Sequence, residues 1–144
     1  MVRSEAGIDD RGVAKPADRR GRFEHTYAAL DLGTNNCRLL VARAADDGFR
    51  VIDAFSRIVR LGEGLGQSGV LSEAAMARTI AALRICAAKL DRRGVTRLRA
   101  VATEACRKAL NCADFLARVG RETGLALDII TTAEEARLAL AGCE

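Results

Sequence analysis

A short polar segment between two apolar runs has the composition of an anion-binding turn. Residues 27–42 read YAALDLGTNNCRLLVA, so the acid Asp31 precedes a glycine, a threonine and two asparagines at residues 33–36. If the apolar runs pair as a hairpin, the backbone N–H groups of residues 33–36 could line a concave phosphate site, with Gly33 in a conformation that other residues avoid. Asp31 could then hold a divalent cation or position water. The same residues are also good turn formers without any ligand.

Two adjacent acids near the end of the chain could supply a general base. Glu134 and Glu135 fall in the first turn of a predicted helix that directly follows a predicted strand, and a carboxylate there can accept a proton from water. The competing interpretation is structural. Thr132 and Glu135 have the spacing of a capping box, in which the Glu135 carboxylate bonds back to the Thr132 N–H. One acid could serve both purposes.

A basic pair after another predicted strand could bind a phosphate. Arg107 and Lys108 follow the predicted strand at 97–103, and ligands of α/β proteins gather beyond the carboxyl ends of strands. An arginine there could clamp a phosphate with two parallel hydrogen bonds. The alternative is a solvated basic surface with Glu104 as an ion-pair partner.

The glycine-rich residues 61–69 lack the G-K-[ST] of a Walker A loop. We expect this segment either to close over the site or merely to connect elements.

The elements that must position these residues follow a simple order. Apolar runs predict strands, and amphipathic segments with capping residues, such as Ser72 before the longest one, predict helices. The predicted strands cover residues 27–32, 37–44, 49–61, 97–103 and 125–131, and the predicted helices cover 73–93, 111–124 and about 133 onward. Three meander strands followed by βα units predict an α/β fold with a mixed five-stranded sheet and flanking helices. This is the ribonuclease-H-like half-domain of the actin, Hsp70 and sugar-kinase superfamily.

Composition narrows the class of protein. The 144 residues carry a net charge of +4, which favours polyanionic ligands, but only 3% are aromatic, too few to stack nucleic-acid bases. We therefore expect no specific nucleic-acid binding. The five cysteines form no C-x-x-C pair and there is one histidine, which predicts mostly buried, reduced thiols in a cytoplasmic protein rather than a zinc site. No apolar run approaches the roughly 18 residues that would span a membrane.

The chain divides into a charged start and one folded domain. Residues 1–25 are dense in charge and lack an apolar core, so we predict a disordered tail, with an anion-binding arm through its arginines as the alternative. Residues 26–144 are long enough for one domain with a substantial core.

Four sequence blocks in a fixed order point to a known family. The blocks are ALDLGTNNCRLLVA, RLGEGLGQSGVLSEAAMARTIAAL, VATEACRKALN and IITTAEEARLALAG. With their spacing, they make residues 27–142 resemble the exopolyphosphatase and guanosine pentaphosphate phosphohydrolase family. The resemblance implies an actin-like fold, in agreement with the predicted elements. It also implies a Mg²⁺-dependent hydrolase that releases terminal phosphate from polyphosphate or guanosine pentaphosphate.

The same resemblance implies roles for individual residues. Glu135, the second acid of EEAR, matches the family's catalytic base, and Arg107 matches an arginine that contacts the polyanion. Arg38 matches a position that faces the phosphate cleft, and Asp31 is the predicted metal ligand. The implied phosphate-binding residues are Gly33, Thr34, Asn35, Asn36, Arg38 and Arg107.

The family continues into a second domain, which opens with a second phosphate loop of the type D-I-G-G-G-S-T that these 144 residues do not contain. We therefore expect residues 26–144 to be the first actin-like domain of such a phosphatase, truncated before that loop, and the complete protein to form a homodimer. One alternative is a module that binds polyphosphate or a guanosine alarmone without turnover. Another is a remnant that needs a partner chain. A sugar or acetate kinase fits the EEAR and TEACRKA blocks poorly.

Overall fold

Three strands come first, and helices and two further strands follow, in the part of the chain that the structure, a computed structural model, describes, residues 25–141. The strands are β1 (Thr26–Leu32), β2 (Asn36–Ala45), β3 (Gly48–Ile58), β4 (Arg97–Ala102) and β5 (Asp128–Ile129). The helices are α1 (Leu65–Ser68), α2 (Glu73–Arg92), α3 (Glu104–Lys108), α4 (Cys112–Thr123) and α5 (Thr132–Ala141). The predicted tail, apart from His25, and the predicted thiol of Cys143 lie outside the described residues.

The five strands form one mixed sheet in the order β3-β2-β1-β4-β5. β1 pairs antiparallel with β2, and β2 pairs antiparallel with β3, as short turns allow. β4 lies parallel to β1, and β5 lies parallel to β4, so each is reached by a helical crossover. This topology confirms the predicted ribonuclease-H-like α/β fold.

One face of the sheet packs against α2 and α4 and forms the core. Alternate side chains of β1 and β2 point into it because successive residues of a strand face opposite sides. The core includes Leu30, Leu32, Cys37, Leu39 and Val41 from the sheet, Ile80, Leu83, Cys86 and Leu90 from α2, and Phe115 and Val119 from α4. The Ser72 hydroxyl accepts a hydrogen bond from the Ala75 N–H at 3.1 Å, which confirms the predicted cap of α2.

The opposite face of the sheet, here called the outer face, carries the intervening residues. Asp31 on β1 lies opposite Arg38 on β2, and Ala29 lies opposite Leu40. α5 lies over part of this face, where its Leu138 borders a cleft together with Ala29. No residue of α5 is buried, so the helix rests on the sheet without entering the core.

Three predicted strands are longer than the observed ones, and the strand at 97–103 differs by only one residue because β4 ends at Ala102. β3 stops at Ile58 rather than at residue 61, because Arg60 adopts a left-handed conformation with φ 50° that a strand cannot continue through. β5 covers two residues rather than 125–131, since only Val101 and Ala102 of β4 offer it partners. The apolar alternation at 125–131 reflects burial against the core rather than strand pairing.

Two short helices were not predicted. α1 has four residues and α3 has five, which is too few for a helical periodicity to be visible in the sequence. α3 matters for function because it carries Arg107.

The described cysteines are consistent with the prediction of buried free thiols. Cys37, Cys86, Cys106 and Cys112 are all buried, and none of them forms a disulfide. Burial and the neighbouring Cys112 raise the pKa of Cys106 to about 12. Within residues 25–141, no helix has both the length and the apolar character needed to cross a membrane.

Candidate functional site

The turn between β1 and β2 differs in one respect from the predicted phosphate cradle. The Gly33 N–H donates to the Asn36 carbonyl at 2.9 Å, so it closes the hairpin instead of facing a ligand. The φ angle of Gly33 is not positive, and a Cβ there would meet only ordinary contacts. The expected special conformation of Gly33 is therefore wrong. Among the described residues, the backbone N–H groups of Thr34 and Asn35 have no acceptor.

The turn stands at the carboxyl end of β1, next to the start of α3. A Cβ at Gly33 would lie 3.9 Å from the Thr103 hydroxyl oxygen, and the Thr103 N–H donates to the Leu32 carbonyl at 3.1 Å. The ends of the parallel strands β1 and β4 are thus held side by side, which brings the turn close to the residues that follow β4.

The capping box of α5 lies one residue earlier than predicted. The Thr131 hydroxyl accepts from the Glu134 N–H at 3.1 Å, and the Glu134 carboxylate accepts from the Thr131 N–H at 3.2 Å. Hydrogen bonding from the Thr131 N–H and then from the Thr131 side chain lowers the pKa of the Glu134 carboxyl below its ordinary value. The assignment of the cap to Thr132 and Glu135 was wrong, because the helix begins one residue sooner. Glu135 is consequently not needed for capping.

Arg107 holds the freed carboxylate of Glu135. Its Nη2 donates to Glu135 Oε2 at 3.2 Å, while Nη1 donates to the Ile130 carbonyl at 2.6 Å. The side chain of Arg107 is only 22% exposed. Because one guanidinium bridges the end of the β5 segment and the first turn of α5, it fixes the position of Glu135. Lys108 instead pairs with Glu104, as the structural alternative predicted.

Four of the predicted site residues, Asp31, Arg38, Arg107 and Glu135, border three adjoining hollows, whereas residues 33–36 line none of the three. The central hollow, of about 420 Å³, is lined in part by Asp31, Thr103 and Glu135. A second hollow, of about 440 Å³, shares Glu135 and adds Arg107. A third, of about 580 Å³, shares Asp31 and adds Arg38. Asp31 and Glu135 therefore connect the three hollows into one surface, which we call the candidate site.

The environment of the candidate site shifts the pKa of Asp31. Partial burial and the negative charge of Glu135 raise the pKa of Asp31 above its ordinary value, and the Arg38 guanidinium opposes this shift. A cation between the carboxylates would relieve their repulsion. Residues 25–141 contain no group of three or more His, Cys, Asp or Glu side chains arranged to hold a metal. The donor set still fits Mg²⁺, which commonly takes one or two protein carboxylates and completes its shell with water and substrate phosphates.

Thr103 and Arg99 border the central hollow but were not identified from the sequence. Thr103 is 5% exposed, and its hydroxyl has no hydrogen-bond partner among the described residues. Its place at the end of a predicted strand, just before a basic segment, was a usable signal. Arg99 carried no such signal, because an arginine in a strand usually marks an ordinary solvated position.

A comparison with protein families gives a match over most of the chain. Residues 40–144 match the sequence model of the Ppx/GppA phosphatase family. The match begins after the turn between β1 and β2, so the correspondence of Asp31 and the turn rests on the sequence blocks rather than on this match.

Solved structures of the family resemble the chain across the described domain. A Ppx/GppA family member from Aquifex aeolicus is 37% identical over 78% of this chain, with a TM-score of 0.75. An exopolyphosphatase from Cytophaga hutchinsonii ATCC 33406 is 28% identical over 79%, with a TM-score of 0.76. The chain spans 37% of the first structure's length and 36% of the second's.

Proposed function

Because the chain belongs to the Ppx/GppA phosphatase family, we propose that it supplies one wall of the active site of a phosphoanhydride hydrolase. The substrate is polyphosphate or guanosine pentaphosphate, and the product is the terminal phosphate. The observation that carries this proposal is the convergence of Asp31 and Glu135 on one hollow, beside a turn whose Thr34 and Asn35 N–H groups have no acceptor within residues 25–141.

Glu135 is the proposed general base. It would take a proton from water while the water oxygen attacks the terminal phosphorus and the phosphoanhydride P–O bond breaks toward the shortened chain. The hydrogen bond from Arg107 at 3.2 Å supports this role because it leaves the second carboxylate oxygen of Glu135 available. Arg107 would orient the base and, with its positive charge, also attract the substrate.

The phosphate groups would bind to the turn at residues 33–36 and to nearby cationic side chains. The N–H groups of Thr34 and Asn35 and the Thr34 hydroxyl are suitable donors. Arg38, on the same face as Asp31, would balance negative charge in the third hollow, which Asp31 shares with the central one. Asn36 contributes its side-chain amide, whereas Gly33 contributes close approach rather than a donor.

Mg²⁺ fits the carboxylate pair as a cofactor, with Asp31 as the proposed protein ligand. When bound, it would neutralise charge on the phosphates. The raised pKa of Asp31 supports the assignment, because a carboxylate close to another negative charge gains most from a nearby cation.

The chain spans 37% of the length of its Aquifex aeolicus relative, and we propose that the complete active site also takes groups from outside this chain. The outer face would form one side of a cleft, and a second domain would form the other. A homodimer of the complete protein stays a prediction. Its location in the cytoplasm is also proposed, supported by the four buried free thiols, which suit a reducing compartment.

The proposal is tested by titrating medium-chain polyphosphate into the chain with Mg²⁺ and assaying phosphate release in the same sample. The assay is repeated after addition of a second domain from a family relative. We expect binding by the chain alone and release only with the supplement. Binding without release in both cases would favour a non-catalytic binding module. No binding by a chain shown to be folded would overturn the proposal.

The role of Glu135 is tested with two matched variants in the supplemented assay. Glu135→Gln should abolish release and preserve binding. Glu134→Gln makes the same change of charge one residue away, and glutamine is tolerated in a capping box, so release should persist. Equal loss in both variants would contradict the assignment of the base.

A further inference from the structure

The segment that follows β3 forms hydrogen bonds to the backbone carbonyls of the turn at residues 33–36. The Asn35 carbonyl accepts hydrogen bonds from the N–H groups of Val59 and Arg60 at 2.8 and 3.1 Å. The Thr34 carbonyl accepts from the Gly62 N–H at 3.1 Å. We call residues 59–63 the supporting segment. Three of its N–H groups thus bind two carbonyls of the turn.

These hydrogen bonds determine where the N–H groups of the turn point. In a trans peptide unit the carbonyl and the N–H of the next residue point in opposite directions. Because the Thr34 carbonyl is directed at the supporting segment, the Asn35 N–H is directed away from it. The Asn36 N–H is directed away for the same reason. The supporting segment therefore removes carbonyls from the ligand side of the turn, where they would repel an anion.

Gly62 also fixes the side chain of Thr34 by close contact. A Cβ at residue 62 would overlap the Thr34 Cγ2 methyl, at a separation that real Cβ atoms essentially never show. The φ angle of Gly62 is not positive, so glycine is required by this contact and not by backbone conformation. Any larger residue would force Thr34 into another rotamer and move its hydroxyl.

Arg78 of α2 in turn holds the supporting segment. Its Nε donates to the Val59 carbonyl at 3.1 Å and its Nη2 to the Arg60 carbonyl at 3.3 Å. The same guanidinium pairs with Glu63 at 2.5 Å. Arg60 has the left-handed φ of 50°, a conformation that a non-glycine residue adopts only when its surroundings impose it. Arg78 bonds both carbonyls that flank this conformation.

We propose that Gly62 and Arg78 are positioning residues for phosphate binding, acting through the supporting segment on Thr34 and Asn35 without touching the ligand. This inference rests on the proposed function of the turn. It differs from a purely structural role, in which the two residues would affect the stability of the fold and leave the ligand affinity of the folded protein unchanged.

The test for Gly62 is a double-mutant cycle read out as the Kd for polyphosphate in Mg²⁺. Gly62→Ala should weaken binding about tenfold while the protein stays folded by NMR. Gly66→Ala is the matched control, because a Cβ at residue 66 meets nothing within 4 Å. Thr34→Ser removes the clashing methyl and keeps the hydroxyl. Adding Gly62→Ala to Thr34→Ser should therefore have little further effect on the Kd.

The test for Arg78 compares it with another arginine of the same helix. Arg78→Met should weaken binding severalfold because the supporting segment loses both carbonyl contacts. Arg84→Met is the control, since Arg84 lies on the same helix, is also partly exposed and pairs with Glu122 of α4 rather than with the supporting segment. Both variants lower the net charge by one. An equal loss of polyphosphate affinity in both would mean that the lost net charge is the cause, and this would overturn the role of Arg78.

The outcomes separate the two proposals. If the wild-type chain does not bind polyphosphate, the proposed function fails, and this inference fails with it. If the wild-type chain binds and folded Gly62→Ala binds equally well, only the inference about Gly62 is overturned. If Gly62→Ala weakens binding just as much in the Thr34→Ser background, the close contact is not the cause, and the inference is overturned as well.

Discussion

Arg107 and Glu135 join two helices that the sequence separates by 23 residues of other structure. Arg107 Nη2 lies 3.2 Å from Glu135 Oε2, and the same guanidinium donates to the Ile130 carbonyl. Because α5 buries none of its residues, this ion pair is an attachment of α5 to the rest of the domain that does not depend on the core.

Loss of the Arg107 bridge should reduce stability. Arg107→Met keeps much of the side-chain volume but leaves the Ile130 carbonyl without its donor, and an unpaired partly buried polar group costs about 1–3 kcal/mol. The measurement is the free energy of unfolding in urea. Lys108→Met is the control, because within residues 25–141 Lys108 forms one exposed ion pair, with Glu104, and such pairs contribute at most about 1 kcal/mol. Equal destabilisation by both variants would contradict the bridging role.

The register of the α5 cap can be tested directly. Thr131→Ala should destabilise the helix by about 1 kcal/mol and increase hydrogen exchange at the Glu135 amide, which donates to the Thr131 carbonyl at 2.9 Å. Thr132→Ala should have little effect, because Thr132 is already the first helical residue. The reverse order of effects would restore the cap that the sequence predicted.

The pKa of Asp31 should respond to its neighbours with opposite signs. Glu135→Gln removes a negative charge and should lower the pKa, whereas Arg38→Met removes a positive charge and should raise it further. NMR titration of the Asp31 carboxyl measures both shifts. Glu134→Gln serves as the control for an added glutamine in α5. An unchanged Asp31 pKa in Glu135→Gln would mean that the two carboxylates do not share a site.

The same shift predicts how stability depends on pH. The folded pKa of Asp31 is raised above its ordinary value of 3.8, so the folded state binds more protons than the unfolded state in the interval between the two. The contribution of Asp31 to stability therefore decreases as pH rises through that interval. Asp31→Asn should remove this part of the pH dependence in urea unfolding curves. If the free energy of unfolding changes with pH equally steeply in the wild type and in Asp31→Asn across this interval, Asp31 does not contribute to the pH dependence.

Thr103 should affect binding more than stability. Thr103→Val preserves shape and removes a hydroxyl that has no partner among the described residues, so the free energy of unfolding should change little. If the hydroxyl contacts the bound phosphate in the central hollow, polyphosphate affinity should fall severalfold. A destabilisation above about 1 kcal/mol, typical of a lost hydrogen bond, would show instead that the hydroxyl is structural.

The sequence predicted the fold well because its signals were local. Period-two apolar runs identified β1 and β2, and Ser72 marked the start of α2. β5 was overestimated because the sequence shows that Leu125 and Leu127 are apolar but not whether a neighbouring strand is within reach.

The site was predicted as a set of residues but not as an arrangement. Asp31, Arg38, Arg107 and Glu135 do border one surface, yet the sequence assigned Glu135 to the cap that Glu134 makes. A helix that starts one residue earlier changes which carboxylate is free, and this depends on tertiary contacts such as the one from Arg107. The contact between Gly62 and Thr34 was equally invisible, because it joins segments 28 residues apart.

The alternation of β1 has a consequence for how the protein can change. Leu30 and Leu32 face the core, and Asp31 between them faces the candidate site. Deleting a single residue upstream in this strand would exchange the two sets, placing a carboxylate among apolar side chains and two leucines at the solvent. The alternation that places the core side chains of β1 therefore also places its candidate-site side chain. Length variation in this protein should be confined to its connecting segments.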